Sequence, residues 1–167
     1  MENDSQTLRS LLSQTRFGEN LAAPDLESIA GVGRLLDVPS GKVLFSEGAL
    51  EDEVFVVVEG HVALEMLVPR RGNVRLLTVG PGELVGWSGL LGDGPMTATA
   101  LTTDAATLIG LSSRKLRELC QQNHELGYVL MTQTAKAIAQ RVLVTRLQLL
   151  DLFAETEPQT RPGRSSS

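Results

Sequence analysis

The spacing of hydrophobic residues changes twice along the chain. Before residue 31 the pattern is helical, predicting helices over Ser5–Arg16 and Pro24–Ala30. The second opens on a proline followed by Asp25 and Glu27, a sound helix start. The middle of the chain holds short apolar runs: Val43–Phe45, Val54–Val58, His61–Val68, Val74–Val79, Leu84–Val85, Thr97–Thr102 and Ala106–Leu111. Ten of the 16 glycines separate them, at positions 41, 48, 60, 72, 80, 82, 86, 89, 92 and 94. Short β-rich runs punctuated this often predict an all-β sandwich or barrel. Val62–Leu67 alternates imperfectly, as a strand with one wet face does. Pro69-Arg70-Arg71-Gly72-Asn73 reads as a hairpin tip.

The last third has another period. From Tyr128 to Glu157 there is neither glycine nor proline, and thirty such residues make a helix about 45 Å long. Tyr128, Met131, Ala135, Ile138, Val142, Thr145, Leu149 and Leu152 step by three or four, the spacing of a coiled-coil seam. Leu130, Ala137 and Val144 mark a neighbouring face. The two faces predict a helix packed on its own β-domain and on something else; the alternative is one wide core-facing stripe. Ser112-Ser113 caps a short helix over Arg114–Gln122. The chain then divides into an N-terminal helical arm (1–20), a β-domain (21–113), C-terminal helices (114–155) and a polar tail (156–167) expected to be disordered.

Composition narrows the function. Hydrophobic residues make up 42% and charged ones 21%, ordinary globular usage. A net charge of -5 and a pI near 5.1 argue against nucleic-acid binding driven by counterion release. The single cysteine, Cys120, suits a reducing compartment and reads as a buried apolar residue. The polar N-terminus has no signal-peptide pattern, and no apolar run approaches the ~18 residues of a membrane span. A soluble, cytoplasmic protein is expected, with no membrane association. His61 and His124 lack a second ligand at zinc spacing, so no metal site is expected. No nucleophile–base set or paired carboxylate stands out, and no enzyme is expected. Glu47, Glu51, Asp52, Glu53 and Glu59 read as a solvated acidic edge rather than a partner site. Arg70, Arg71 and Arg75 read as a charged hairpin that discourages edge-to-edge aggregation.

Several segments together are more specific. Val38-Pro39-Ser40-Gly41-Lys42-Val43-Leu44-Phe45-Ser46-Glu47-Gly48, Val54–Val62, Gly80-Pro81-Gly82-Glu83-Leu84-Val85-Gly86 and Pro95-Met96-Thr97-Ala98-Thr99 resemble successive motifs of the cyclic nucleotide-binding domain family. The resemblance runs from about Leu21 to Phe153. It implies a mainly β fold with flanking helices: a β-roll or jelly-roll barrel with a short and a long C-terminal helix, as in catabolite-activator and oxygen-responsive regulators. It also implies a phosphate-binding cassette, in which a glycine turn presents the free N–H groups of a short helix to an anion. Gly86, Trp87, Ser88, Gly89 and Leu90 would form that turn, and Met96, Thr97 and Ala98 its far side. Thr145 matches a helix threonine that reaches the base.

Two positions depart from the family pattern. The glutamate that accepts from the ribose hydroxyl is Trp87 here, a donor only. The arginine that pairs with the phosphate is Met96. A charged hydrogen bond contributes about 1.5–3 kcal/mol, so its loss weakens a phosphate ligand by about ten- to a hundred-fold. The reading is a stand-alone regulatory sensor module with altered or lost cyclic nucleotide affinity. Its ligand would be a cyclic nucleotide or another small molecule, and no further cofactor is implied. The alternative is a ligand-free dimerisation scaffold or a regulatory subunit docked on a partner protein. A homodimer is expected through Ile138, Val142, Thr145, Leu149 and Leu152. The tail is too short for a helix-turn-helix domain, so direct DNA binding is not expected.

Overall fold

A computed structural model describes residues 2–92 and 94–156, with backbone alone at 2, 3, 152, 155 and 156. The elements are α1 (Glu2–Ser13), α2 (Ala23–Ala30), β1 (Gly33–Val38), β2 (Val43–Phe45), β3 (Glu53–Glu59), β4 (Val62–Val68), β5 (Gly72–Val79), β6 (Leu84–Val85), α3 (Trp87–Leu91), β7 (Thr99–Thr102), β8 (Ala106–Ser112), α4 (Ser113–Gln122) and α5 (His124–Thr156). The strands make two four-stranded sheets, β1-β8-β3-β6 and β2-β7-β4-β5, and every pairing is antiparallel. This is the expected β-roll with flanking helices. Apart from Thr156, which ends α5, the polar tail lies outside the described residues.

Two apolar cores explain why the central strands read as unbroken runs. Along β3, Phe55 and Val57 point between the sheets with Phe45, Val62, Leu64, Met96 and Leu108. Val54 and Val56 point the other way, onto a layer built from Leu12, Ile29, Leu90, Ile109, Leu116 and Leu130. A strand buried on both faces has no polar alternation to show. The irregular pattern of β4 has a different cause. Val62, Ala63 and Leu64 are all buried at its start, and just beyond them the pairing with β5 shifts register, with Leu76 of β5 skipped between the pairs Leu64–Leu77 and Glu65–Arg75.

One strand is absent from the sequence reading. The segment Gly33–Val38 alternates weakly, and its six-position pairing with β8 makes it a strand. A Cβ on Gly33 would stand 2.9 Å from Leu111 Cδ2, so a side chain there would have to displace the Leu111 methyl.

The helices dock where their caps put them. Ser112 Oγ accepts from Lys115 N at 3.3 Å, as the Ser112-Ser113 signal predicts. Asp52 adds a second cap from across the fold, accepting from Arg114 N at 2.9 Å and Ser112 Oγ at 2.8 Å. The long helix begins at His124, four residues before the predicted Tyr128. It absorbs Gly127, where a Cβ would stand 3.1 Å from the Cys120 carbonyl; glycine there lets α5 start tight against α4. Leu126, Leu130 and Thr134 face the domain, and beyond Arg141 every described side chain is exposed.

Candidate functional site

The cassette is built around three glycines, two of them in left-handed turns and one inside α3. Gly86 leaves β6 with a left-handed φ of 87° and caps α3. Its missing side chain admits the Phe45 ring, whose Cε1 would be 3.2 Å from a Cβ. Gly89 is buried, with the Glu51 carbonyl and Ser113 Oγ each 3.2 Å from the position of its absent Cβ. Arg117 of α4 donates to the Gly89 carbonyl and ties the cassette helix to α4. Gly48, at a φ of 81°, donates to the Met96 carbonyl at 2.8 Å, and Met96 N donates to the Ala49 carbonyl at 2.8 Å.

Met96 occupies the cassette rather than facing out of it. Its side chain is 2% exposed and belongs to the inter-sheet core. Its sulfur accepts from Ser88 Oγ at 3.2 Å. Trp87, half-buried, packs against the helix-side core around Leu90 and Leu116. Leu90 is buried in that same layer. Ala98 is buried in the barrel, while Thr97 is exposed. A cleft of about 270 Å³ lies beside the cassette; Glu51, Asp52, Gly89 and Arg117 line it, and neither Trp87 nor Met96 does.

Thr145 lies on α5 and lines neither this cleft nor the cleft beside α5 and Arg141. It is exposed, and its hydroxyl donates to the Arg141 carbonyl of its own helix at 2.9 Å. Along the predicted seam Ile138 is half-buried, and Val142 and Leu149 are 43% and 50% exposed. The Leu152 side chain lies outside the described residues. Within one chain, then, the structure gathers Gly86 to Leu90, Met96 and Ala98 into one body and leaves the distal seam uncovered.

Asp52 stands in the acidic edge, but its capping of α4 was not legible in the sequence, nor were the contacts of Arg117 and Arg141. Arg117 and Asp52 carry no local signal, since their partners lie 28 and 60 residues away. Arg141 had one: it falls four residues after Ala137, on the face that Leu130 begins. Its guanidinium donates to the Leu84 carbonyl. Burial pushes its pKa down, against an opposing pull from Glu83.

The acidic edge is less free than expected. Glu47 Oε2 accepts from Leu67 N at 3.0 Å, Asp52 caps α4, and Glu53 holds Arg34 through two contacts of 2.8 Å. His61 Nδ1 lies 3.0 Å from Asp104 Oδ2, and that hydrogen bond foremost holds the carboxyl below the usual aspartate range. Cys120 is half-buried, and burial raises its thiol pKa. Among the described residues no group of three or more His, Cys, Asp or Glu side chains is placed to hold a metal.

Comparison with known proteins agrees with this geometry. The sequence pattern of the family described as "Cyclic nucleotide-binding domain" matches residues 35–123, more than half of the chain. A CRP-like cAMP-activated global transcriptional regulator of Mycobacterium tuberculosis is 27% identical over 124 residues, covering 74% of this chain and 53% of that protein. The match thus spans about half the length of that curated relative. The crystal structure of a putative cyclic nucleotide-binding protein from Geobacter metallireducens superposes with a TM-score of 0.69 at 29% identity, covering 83% of this chain and 97% of that one. A cyclic nucleotide-binding domain from Methylobacillus flagellatus shares the fold at a TM-score of 0.76 and 15% identity, covering 95% and 88% of the two chains. With motif order, sheet topology and the glycine-cornered cassette in agreement, the chain belongs to the cyclic nucleotide-binding domain family.

Proposed function

We propose that this chain is a cytoplasmic, homodimeric regulatory module whose cassette has lost ordinary cyclic AMP and cyclic GMP binding. The observation that carries this is Met96. The position after Pro95 offers no charge, and its side chain is packed into the barrel with Ser88 bonded to its sulfur. Trp87 has an indole N–H and nothing that accepts from a ribose hydroxyl. The backbone of the cradle is kept, with Gly86 left-handed and α3 behind it, so a ligand gripped by main-chain donors and apolar walls still fits the reading. Reporting runs through α5, whose near half packs on the domain and whose far half is exposed. No helix among the described residues is long and apolar enough to cross a membrane.

Calorimetry of the full chain with cyclic AMP and cyclic GMP tests this directly. No saturable heat is expected up to about 1 mM ligand, the range of binding free energies near 4 kcal/mol. Micromolar saturation by either nucleotide would overturn the reading. The unaltered chain is the one to titrate, because Met96→Arg would bury a cation between Phe45 and Leu108.

The ligand-free scaffold is the second reading, favoured by the same burial of Met96. Trp87 is the only tryptophan and belongs to α3. A metabolite that shifts its emission in a saturable way supports the sensor. A dimer whose emission responds to no member of a broad panel supports the scaffold.

A further inference from the structure

Three segments far apart in sequence meet in a second cleft of about 360 Å³. They are the loop after α1 (Arg16–Asn20), the β5–β6 turn (Gly82–Leu84) and the middle of α5 (Gln133–Arg141). None of these residues belongs to the cassette. Gly82 makes the junction possible: at a φ of 85° it turns the chain sharply, and a Cβ there would stand 3.4 Å from Arg16 N.

The charges in this cleft are incompletely balanced. Arg141 lies at its wall, half-buried. One of its terminal nitrogens donates to the Leu84 carbonyl, while the other is buried without a hydrogen-bond partner. The carboxylate that acts on Arg141 is Glu83, which forms no salt bridge with it and whose Oε2 already accepts from Gly80 N at 2.8 Å. Arg16 and Lys136 are exposed at the same cleft, and neither forms a salt bridge among the described residues. Three cations face two carboxylates, Glu19 and Glu83, a net charge of +1. Phe17, Leu84 and Ala137 supply apolar wall.

We propose that this cleft is a binding site for a small organic oxyanion, a carboxylate or phosphate monoester with a compact apolar portion. A buried guanidinium lacking full hydrogen bonding is costly, and an anion beside it removes part of that cost. Arg16 and Lys136 provide the accessible donors, and Arg141 supplies positive potential from behind them. The single excess charge favours one anionic group over a polyphosphate. The ligand would tie α5 to the β-domain and the N-terminal arm. This site is independent of the cassette: it stands or falls whatever cyclic nucleotides do there.

The test is a titration of the full isotope-labelled chain with phenyl phosphate and with benzoate, followed by two-dimensional amide NMR. Phenol and sodium chloride at matched ionic strength are the controls. Saturable shifts are expected at the Gly82 amide and the Gln133 and Gln140 side-chain amides for at least one anion and neither control. Which anion saturates distinguishes a phosphoryl from a carboxylate ligand. The double variant Arg16→Ala, Lys136→Ala, altered only at exposed positions, should weaken that binding at least tenfold. Arg141→Gln, provided its amide spectrum stays folded, should weaken it similarly. Shifts that merely follow ionic strength would overturn the proposal, as would saturable shifts that the double variant leaves unchanged.

Discussion

Gly86 holds its left-handed φ of 87° with Phe45 Cε1 and the Glu53 carbonyl only 3.2 and 3.3 Å from where a Cβ would stand. Backbone strain and overpacking both act on any larger residue. Gly86→Ala is expected to cost about 2–4 kcal/mol, combining the left-handed penalty and the crowding. Urea unfolding measures it, and a loss below about 0.5 kcal/mol would mean the turn relaxes freely. Asp104 makes a different kind of contribution. Its folded pKa lies below the ordinary value of about 3.9, first through the His61 side-chain hydrogen bond. The stabilisation is therefore present above about pH 4 and lost as pH falls through the folded value. Asp104→Asn should lower the unfolding midpoint at neutral pH, with the gap to the unaltered chain closing in acid. Because the pair is exposed, the effect is small. An equal gap at both pH values would assign it to something other than charge. Residue identity announced the missing cation at Met96 and the cap at Ser112. It could not announce that Met96 turns inward, because burial depends on Phe45 and Leu108, 51 residues before it and 12 after.

Among the elements, α5 repeats its apolar residues on two faces, and only one of them meets the domain. Leu126 and Leu130 are 1% and 0% exposed, whereas Val142 and Leu149 are 43% and 50% exposed. Leu143, Leu147 and Leu150 add further exposed apolar surface at 51%, 53% and 64%. A stripe of this length left open to water in a monomer is a liability. In a parallel dimer, Val142→Glu with Leu149→Glu would place like charges across the two-fold seam. Light scattering at micromolar concentration should therefore read a dimeric mass for the unaltered chain and a monomeric one for the double variant. A monomeric unaltered chain, or a variant that stays dimeric, would sink the assignment. The period of α5 was readable from Tyr128 onward, but its true start was not. Gly127 lies inside the helix, and its missing side chain makes room for the Cys120 carbonyl of α4, a partner that the local pattern does not show.

At the scale of the whole molecule, local pattern and long-range contact divide the outcome. The β-rich centre, the hairpin tip at Pro69–Asn73, the capped α4 and the long final helix were all legible in the sequence, because each depends on neighbours within a few residues. Turn chemistry, capping and helical period are short-range physics. What lay beyond reach is made of pairs distant in the chain. β1 becomes a strand through β8, some seventy residues on. Asp52 caps a helix 62 residues ahead of it, and Arg141 bonds a carbonyl 57 residues behind. The second cleft follows the same rule: Arg16, Gly82 and Lys136 share no motif, and only the closing of the fold brings them together. The sequence by itself determined most of the elements, β1 excepted, and which cassette side chains are missing, since these are properties of short segments. Tertiary structure decided which way Trp87 and Met96 turn, which face of α5 stays open and where unbalanced charge collects. Those outcomes depend on what each side chain meets after the chain has folded.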